Sequence, residues 1–484
     1  MPELYRLTDK ADNELSTVNY QLSIGNRISD IVRSLAKRIF GGEKITFDPE
    51  LLTATADGYL SAVKKGYKKD LSEVDYDSPD FETLKKITEN VFQFSASKDF
   101  HILTDMTNAL KDGSGKLRSF DDFQAEVDKM NVKYNGNWLR TEYNQAVAAS
   151  QCAARWTEQV SRAKSMPFLQ YHAVMDSNTR AEHAALHGVI KRVDSDFWDK
   201  YYPPNGWGCR CEVIQLPGKN YKETPDLDIK FTKVDSMFQV NVGKKGVVFP
   251  KGHPYFMSQC ATNGCPLKGR KLADGTLKEQ CKGCLQGMGE CEKYVDRCKE
   301  KAALIAERRQ EYELYKNDPD YLNVEFNEET GGLKAWHKDH KTHPNDIKTY
   351  NINGEILKAD DLEQRFFNRA FKNGHKVIFR KEDDNLTDLD MYLDDVLMDL
   401  ASIAENVKDY RSAIGHKNKQ LKKYNRENNT NADTICLYFH DPSYWSYNKL
   451  VEGIQYEAKY RTIHIKTVYV FFNNDSDIQV YRFP

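Results

Sequence analysis

A chain of 484 residues is too long for one hydrophobic core, and domains of about 100 to 200 residues predict roughly three of them. Lysine and arginine number 70 against 72 acidic residues, a formal net charge of −2, which argues against a coat for nucleic acid. No long apolar run and no apolar signal segment occur, so we expect a soluble protein made in a cytoplasm, without a membrane partner.

The first 135 residues predict a mostly α-helical N-terminal region without a catalytic constellation. Between residues 28 and 39, apolar side chains recur at helical spacing, and a similar periodicity runs from Trp138 to Arg162. The expected core residues of this region are Phe92, Phe94, Phe100, Ile102 and Leu103.

The segment from Asp176 to Cys211 concentrates polar, turn-forming and metal-capable residues. A helix that begins near Asp176 would place Arg180, His183 and His187 on one face, because residues three and four apart are neighbours on a helix. This segment is therefore a candidate site.

A turn at Pro203 and Pro204 precedes Cys209 and Cys211. These two cysteines and the two histidines just named suit a four-ligand zinc shell. In the alternative interpretation, Arg180 and His183 only hydrogen-bond the proline loop, and the cysteines are small buried apolar residues. Both interpretations remain open at this point.

The order of these residues resembles the phage Mu F type of head morphogenesis protein, a family of minor head proteins. The resemblance covers residues 136–257 and implies an α+β domain that contacts portal and capsid proteins. It also implies a place inside the virion capsid, with assembly in the host bacterial cytoplasm. The residues that carry it are Asp176, Arg180, His183, Gly188, Phe197, Trp198, Pro203, Pro204, Cys209, Arg210 and Cys211.

Residues 258–320 predict a cysteine-rich connector followed by a solvated helix. Cys281 and Cys284 have zinc-knuckle spacing with a glycine that allows a tight turn, and Cys260 with Cys265 would complete a four-cysteine Zn²⁺ site. The alternative is a reduced connector without metal, since ten cysteines in a cytoplasm are metal ligands or buried thiols rather than disulfides.

Residues 321–484 predict an α/β domain. One helix ends at Gly374 and a strand follows at 376–380. Further strands are expected at 389–400, 434–440, 462–472 and 478–483, with helices at 404–425 and 445–460.

An acidic hairpin within this domain is the first candidate for chemistry. With Asp394 and Asp395 as its two-residue loop, Asp390 lies opposite Asp399, and their Cβ atoms are about 5 Å apart. Such a carboxylate pair suits Mg²⁺ or Mn²⁺. The alternative is a solvent-facing acidic edge that discourages strand pairing.

The same domain resembles the PD-(D/E)xK nuclease fold of toxin tips, including contact-dependent inhibition tRNases. The resemblance implies a restriction-endonuclease-like α/β fold in which acids hold the metal and a lysine activates water. Ala401 occupies the lysine position, so either the lysine has moved, to Lys417 or Lys408, or the domain is inactive. The candidate catalytic residues are Glu363, Asp390, Asp399, Lys417 and Gln420.

A histidine cluster at His337, His340 and His343 precedes this domain's first helix. A general acid, an RNA-contacting linker and no function are the three interpretations.

Three functions follow. The first is a phage or prophage minor head protein for portal-associated assembly that carries a nuclease-like toxin domain. The second is a metal-dependent tRNA or DNA nuclease toxin, countered by an immunity protein, for which the head-protein domain is a delivery module. The third is a zinc-stabilised scaffold.

Overall fold

The computed structural model describes residues 25–218, 220–231, 233–250, 252–256, 275–340, 349–352, 355–381, 387–474 and 477–483. The chain divides into two compact units, Met1–Lys299 (unit 1) and Glu300–Pro484 (unit 2). The prediction of a multidomain chain is confirmed, while the four-part division at 135, 257 and 320 stays a prediction. None of the described helices combines the length and the apolar composition needed to cross a bilayer.

Unit 1 is largely helical, as predicted. The apolar residues between 28 and 39 are buried, and so are the five predicted core residues. Side-chain caps from Asp48, Ser78 and Ser119 fix the starts of three helices, because each accepts hydrogen bonds from otherwise unpaired backbone N–H groups. The helices are α1 (residues 25–40), α2 (Pro49–Tyr67), α3 (Pro79–Asn108), α4 (Phe120–Val132) and α5 (Leu139–Ser161), with a π-helical segment at Lys133–Trp138.

Helices α2 and α5 approach each other closely at Gly66. A Cβ atom on this glycine would lie 2.2 Å from the carbonyl oxygen of Val147, so no side chain fits there. The interior also holds a buried ion pair, with Lys98 Nζ 2.6 Å from Glu142 Oε2 and the Tyr59 hydroxyl donating to the same carboxylate. Because the charges are paired and hydrogen-bonded, their burial is tolerated.

A small antiparallel sheet follows in unit 1. Its central strand pairs with one neighbour on each side, in the order β2-β1-β3. The elements are β1 (Phe168–His172), α6 (Ala181–Ala184), β2 (Ile190–Arg192), α7 (Phe197–Tyr201), β3 (Glu212–Leu216) and α8 (Val242–Lys245).

Helix α9 (Gly275–Asn317) covers most of the predicted connector. The backbone at Cys281 and Cys284 is helical, so the tight turn predicted between them is wrong: the run from Gly275 continues as one helix. Cys260 and Cys265 lie outside the described residues, as do the side chains of Cys281 and Cys284. The four-cysteine zinc site therefore stays a prediction.

Unit 2 contains a mixed eight-stranded sheet in the order β13-β12-β11-β10-β9-β8-β5-β4, and a separate hairpin of β6 and β7. The strands are β4 (Tyr321–Phe326), β5 (Leu333–His337), β6 (Tyr350–Ile352), β7 (Glu355–Leu357), β8 (Lys376–Phe379), β9 (Met391–Leu393), β10 (Val396–Ile403), β11 (Thr434–Phe439), β12 (Thr467–Phe472) and β13 (Gln479–Arg482). The helices are α10 (Ala359–Lys372), α11 (Arg411–Asn428) and α12 (Tyr447–Tyr460).

Helices cover both faces of this sheet. Phe366 and Phe367 of α10 pack with Met391 and Met398 on one face. Apolar residues of α11 and α12 pack on the opposite face with Ile435, Leu437 and neighbouring strand residues. The result is a layered α/β domain, as predicted. The restriction-endonuclease-like fold is a finer prediction, treated with the proposed function.

Two predicted element starts need correction. Helix α11 begins at Arg411 rather than at 404, because β10 continues to Ile403 and the Asp409 carboxylate accepts the Arg411 N–H. Strand β12 begins at Thr467 rather than at 462. The Thr467 N–H donates to the carbonyl oxygen of Asp433.

Candidate functional site

The acidic hairpin of unit 2 forms in the predicted register. Leu393 pairs with Val396 and Met391 with Met398. Asp394 and Asp395 have φ angles of 47° and 66°, and two successive left-handed residues make the tight turn that matches the twist of paired strands.

The backbone pairing of β9 with β10 ends at Met391 and Met398. At the next position, the side chain of Asp390 rather than its backbone bonds β10. The Asp390 carboxylate accepts the Leu400 N–H at 2.6 Å. Asp399 is fully buried, and β9 and β10 lie inside the sheet with a neighbour on each side. The interpretation as a solvent-facing acidic edge is therefore wrong.

Lys417 of α11 reaches both aspartates. Its Nζ lies 3.0 Å from Asp399 Oδ1 and 3.7 Å from Asp390 Oδ2, and its side chain is largely buried. Lys408, the other candidate lysine, is exposed. Among the two lysines considered, only Lys417 is thus placed at the acidic pair.

The two aspartates differ in protonation. Burial raises the pKa of Asp390, but the charge of Lys417 and the Leu400 N–H help to outweigh it and hold this pKa below its ordinary value. Burial and the charge of Asp390 raise the pKa of Asp399 well above its ordinary value. Asp399 Oδ2 is buried without a hydrogen-bond partner among the described residues, so a proton or a cation would satisfy it.

Glu363 of α10 pairs with His340, whose Nε2 lies 3.4 Å from Glu363 Oε2 while its Nδ1 contacts the Arg380 carbonyl oxygen at 3.0 Å. Burial raises the pKa of Glu363, and the charge of Asp390 contributes to the rise. The sequence indicated both residues but not their pairing, since 23 positions separate them.

Two other candidates of unit 2 have different surroundings. Gln420 lies one turn after Lys417, and its Oε1 is buried without a hydrogen bond in the described part of the chain. His337 is buried, and its Nδ1 accepts the Asp339 N–H. His343 lies outside the described residues.

In unit 1 the long helix predicted from Asp176 does not form. Asp176 Oδ1 accepts the Asn178 N–H in a turn, and α6 spans only Ala181–Ala184. A polar side chain that bonds its own nearby backbone competes with helix formation. Gly188, with a φ of 83°, follows the short helix.

Ion pairs and hydrogen bonds hold the loop that precedes the cysteines. Arg180 Nη2 donates to the Trp207 carbonyl oxygen at 2.7 Å, as the bracing interpretation predicts. Arg210 binds Asp176 with two hydrogen bonds of 2.6 Å, a pairing that the sequence did not reveal. The Pro203–Pro204 peptide bond in this loop is cis.

His183 faces both cysteines. Its Nδ1 lies 3.8 Å from Cys209 Sγ and 3.6 Å from Cys211 Sγ. Within the described ranges, these three residues are the group of metal-capable side chains whose ligand atoms all lie within 4.8 Å of one another. Glu363, Asp390 and Asp399 do not form such a group.

His187 lies apart from this group, so the predicted four-ligand shell is wrong. Its Nδ1 accepts the Ala173 N–H at 3.1 Å, and its ring packs on His172 with centroids 5.1 Å apart. Helix α6 ends at Ala184, so His187 lies outside it and does not share a helix face with His183. The structure thus brings together three of the four predicted zinc ligands.

Comparison with known proteins gives matches in unit 1. Residues 100–214 match the family described as Phage Mu protein F like protein. The "Putative capsid assembly protein F" of Escherichia phage Mu is 44% identical over 85 residues, which cover 18% of this chain and 19% of that protein. The Mu-like prophage FluMu F protein of Haemophilus influenzae is 47% identical over 78 residues, covering 16% of this chain and 19% of that protein.

The chain therefore spans about a fifth of the length of the curated relatives that it matches. No solved structure matches it. The matched residues run from α3 to β3 and include the Asp176–Arg210 pair and the His183, Cys209 and Cys211 group.

Proposed function

We propose that this chain is a phage or prophage minor head protein that acts in capsid assembly through unit 1. The observation that carries the proposal is its 44% identity over 85 residues with a protein named for capsid assembly. Its partners are portal and capsid proteins, and its place is the capsid interior. Assembly of the head would take place in the host bacterial cytoplasm.

Two exposed apolar side chains within the matched residues are candidate points of contact for a partner. Leu117 and Val132 are each 67% exposed. Their burial against another protein would remove apolar area from water, which is the main favourable term in association. Replacing them leaves the core of unit 1 intact.

The test is co-purification of the full chain with a portal protein of a Mu-like phage or prophage, co-expressed with it. We expect wild type to bind and Leu117→Asp with Val132→Asp to bind more weakly, while Lys419→Met, an exposed change in unit 2, binds like wild type. Absence of any association by the folded wild-type chain would refute the assembly proposal.

A second candidate function is metal-dependent cleavage of tRNA or DNA by unit 2. It rests on one observation, that Lys417 lies at the acidic pair although Ala401 occupies the strand position for a lysine. Asp390 and Asp399 are the oxygen ligands that Mg²⁺ or Mn²⁺ prefers. The metal would supply charge stabilisation, and Lys417 would orient the attacking water.

The sequence of layers also supports a restriction-endonuclease-like fold. Helix α10 precedes the antiparallel strands β8, β9 and β10, and α11 then leads to the parallel strand β11. Glu363 on the first helix interacts with Asp390 electrostatically. An immunity protein would be the partner that blocks such an activity.

The test measures cleavage of tRNA and DNA by the full chain with and without Mn²⁺. Lys417→Met should lower the rate by about 10²-fold or more, since it removes a fixed charge at the reacting groups. Adding Ala401→Lys to that variant should restore part of the rate, because residue 401 lies on the same strand face as Asp399. If neither wild type nor Ala401→Lys cleaves either substrate or binds Mn²⁺, the nuclease proposal fails.

A further inference from the structure

The His183, Cys209 and Cys211 group has the spacing of ligands around a tetrahedral zinc ion. Bond lengths of about 2.3 Å to sulfur and about 2.0–2.1 Å to nitrogen, at tetrahedral angles, place sulfur and nitrogen about 3.5–3.6 Å apart. The observed separations from His183 Nδ1 are 3.6 Å and 3.8 Å. Without a metal, the same separations are weak thiol contacts.

The loop that leads to the two cysteines is held in place by β1. The Tyr171 hydroxyl of β1 donates to Asn205 Oδ1 at 2.9 Å, and this contact fixes the loop that precedes Cys209 and Cys211.

Room for a fourth ligand lies beside the group. A cavity of about 20 Å³ is lined by Thr179, Arg180, His183, Cys209 and Cys211. One water needs about 10 to 15 Å³, so the cavity has room for a water. His187 does not belong to the group of close ligand atoms, and its Nδ1 accepts the Ala173 N–H.

We propose that unit 1 holds one Zn²⁺ through His183 Nδ1, Cys209 Sγ and Cys211 Sγ, with a water as the fourth ligand. The ion would tie α6 to the loop before β3. Zinc replaces the protons carried by the two thiols, which leave to solvent, and the imidazole binds through its lone pair without a redox change.

This site differs from the four-cysteine site predicted around Cys281 and Cys284, and variants separate the two. The full chain is purified and its zinc content measured by inductively coupled plasma mass spectrometry. His183→Ala and the double variant Cys209→Ser with Cys211→Ser should each lose one zinc equivalent per chain. The matched controls His187→Ala and the double variant Cys281→Ser with Cys284→Ser should keep that equivalent.

Cobalt reports the geometry directly. Replacing zinc by Co²⁺ in the wild-type chain should give intense tetrahedral d–d bands and thiolate charge-transfer bands that His183→Ala lacks. Equal zinc content in wild type and both ligand variants would overturn the proposal, as would a weak octahedral cobalt spectrum.

A further measurement uses only the wild-type chain, so it does not depend on whether the variants fold. Chelation of wild type should increase hydrogen exchange in peptides that contain residues 181–184 and 203–211, while unit 2 peptides stay unchanged. Unchanged exchange in the first two segments would likewise overturn the proposal.

Discussion

Replacing Lys417 with methionine removes the cation beside two buried aspartates. Lys417 Nζ is 3.0 Å from Asp399 Oδ1 and 3.7 Å from Asp390 Oδ2, and the side chain is 12% exposed. Removing one partner of a buried ion pair costs about 3–5 kcal/mol, because an uncompensated charge remains. We expect Lys417→Met to lower the free energy of unfolding of unit 2 by about this amount at pH 7.

The loss should depend on pH, because the protonation of the aspartates changes. In wild type the pKa of Asp390 is lowered, so this group adds stability above its unfolded pKa of about 3.9 and loses it as pH falls. In the variant, burial and mutual repulsion would raise the pKa of both aspartates. The free energy of unfolding of the variant then falls as pH rises above about 4, by about 1.4 kcal/mol per pH unit for each proton. About three units for one proton give about 4 kcal/mol at pH 7, in agreement with the ion-pair estimate.

Lysine itself adds the opposite dependence at high pH. Burial lowers the pKa of Lys417, but the charges of Asp399 and Asp390 raise it more, so the net shift is upward. While Asp390 is ionised, its contribution is fully present below its unfolded pKa of about 10.4 and is lost as pH rises through the folded pKa. The difference between wild type and variant should therefore be small near pH 4 and large near pH 7 and above.

Hydrogen exchange read by mass spectrometry measures this on the full chain, with unit 1 as an internal control. Peptides from Val396–Ile403 should exchange faster in Lys417→Met at pH 7 than in wild type, with a smaller excess at lower pH after correction for intrinsic rates. Lys419→Met, an exposed change on the same helix, should behave like wild type. Wild-type protection of β10 in Lys417→Met at every pH would refute the reasoning, and so would a loss of protection that is the same at every pH.

Three further changes test other contacts. Gly66→Ala should destabilise unit 1 by about 1–3 kcal/mol or more, because the new Cβ would lie 2.2 Å from the Val147 carbonyl oxygen. An unchanged melting temperature would contradict the close approach of α2 to α5. Burial raises the pKa of Asp99 to about 8, so the stability that it contributes is lost as pH rises from about 4 towards 8. Asp99→Asn should then add up to about 4 kcal/mol at pH 7 in denaturant titrations, and an unchanged pH slope would oppose this. Arg308→Met removes hydrogen bonds to the Gly331 and Gly374 carbonyls and to the Asp394 carboxylate. It should lower the free energy of unfolding of unit 2 by about 3–5 kcal/mol and speed hydrogen exchange in the 393–396 turn. Equal exchange in variant and wild type would exclude a stabilising role for Arg308.

The hairpin could be predicted from the sequence because its information is local. A two-residue loop fixes strand register, and alternation then assigns each side chain to a face. The apolar stripe from residue 28 to residue 39 is equally local, and its residues are buried. In both cases the periodicity of one element is enough to determine which side chains lie inside.

The helix expected from Asp176 failed because side-chain hydrogen bonds compete with helical ones. Asp176 accepts the Asn178 N–H and also binds Arg210, which is 34 residues away. Helical spacing alone could not separate His183, which faces the cysteines, from His187, which accepts the Ala173 N–H just after β1. Tertiary partners decided both outcomes, and spacing within one segment does not encode them.

The lysine of the acidic pair shows which signal a search by local spacing misses. Ala401 is two residues after Asp399, so alternation places it on the same face of β10, where a lysine is sought. Lys417 reaches the same face from helix α11 and not from the strand. Because β10 and β11 are parallel, their connection must cross over the sheet, and α11 packs its apolar stripe back onto the strands.

That stripe contains the missing signal. Ile414 and Leu421 are fully buried, and Lys417 lies between them at spacings of three and four, so it shares their sheet-facing side. A lysine there has no stable place unless a buried acid lies opposite it on the sheet. Asp399, 18 residues earlier, is that acid. A charged residue within the apolar stripe of a crossover helix is therefore an indication, readable from the sequence, of a buried partner on the preceding strand.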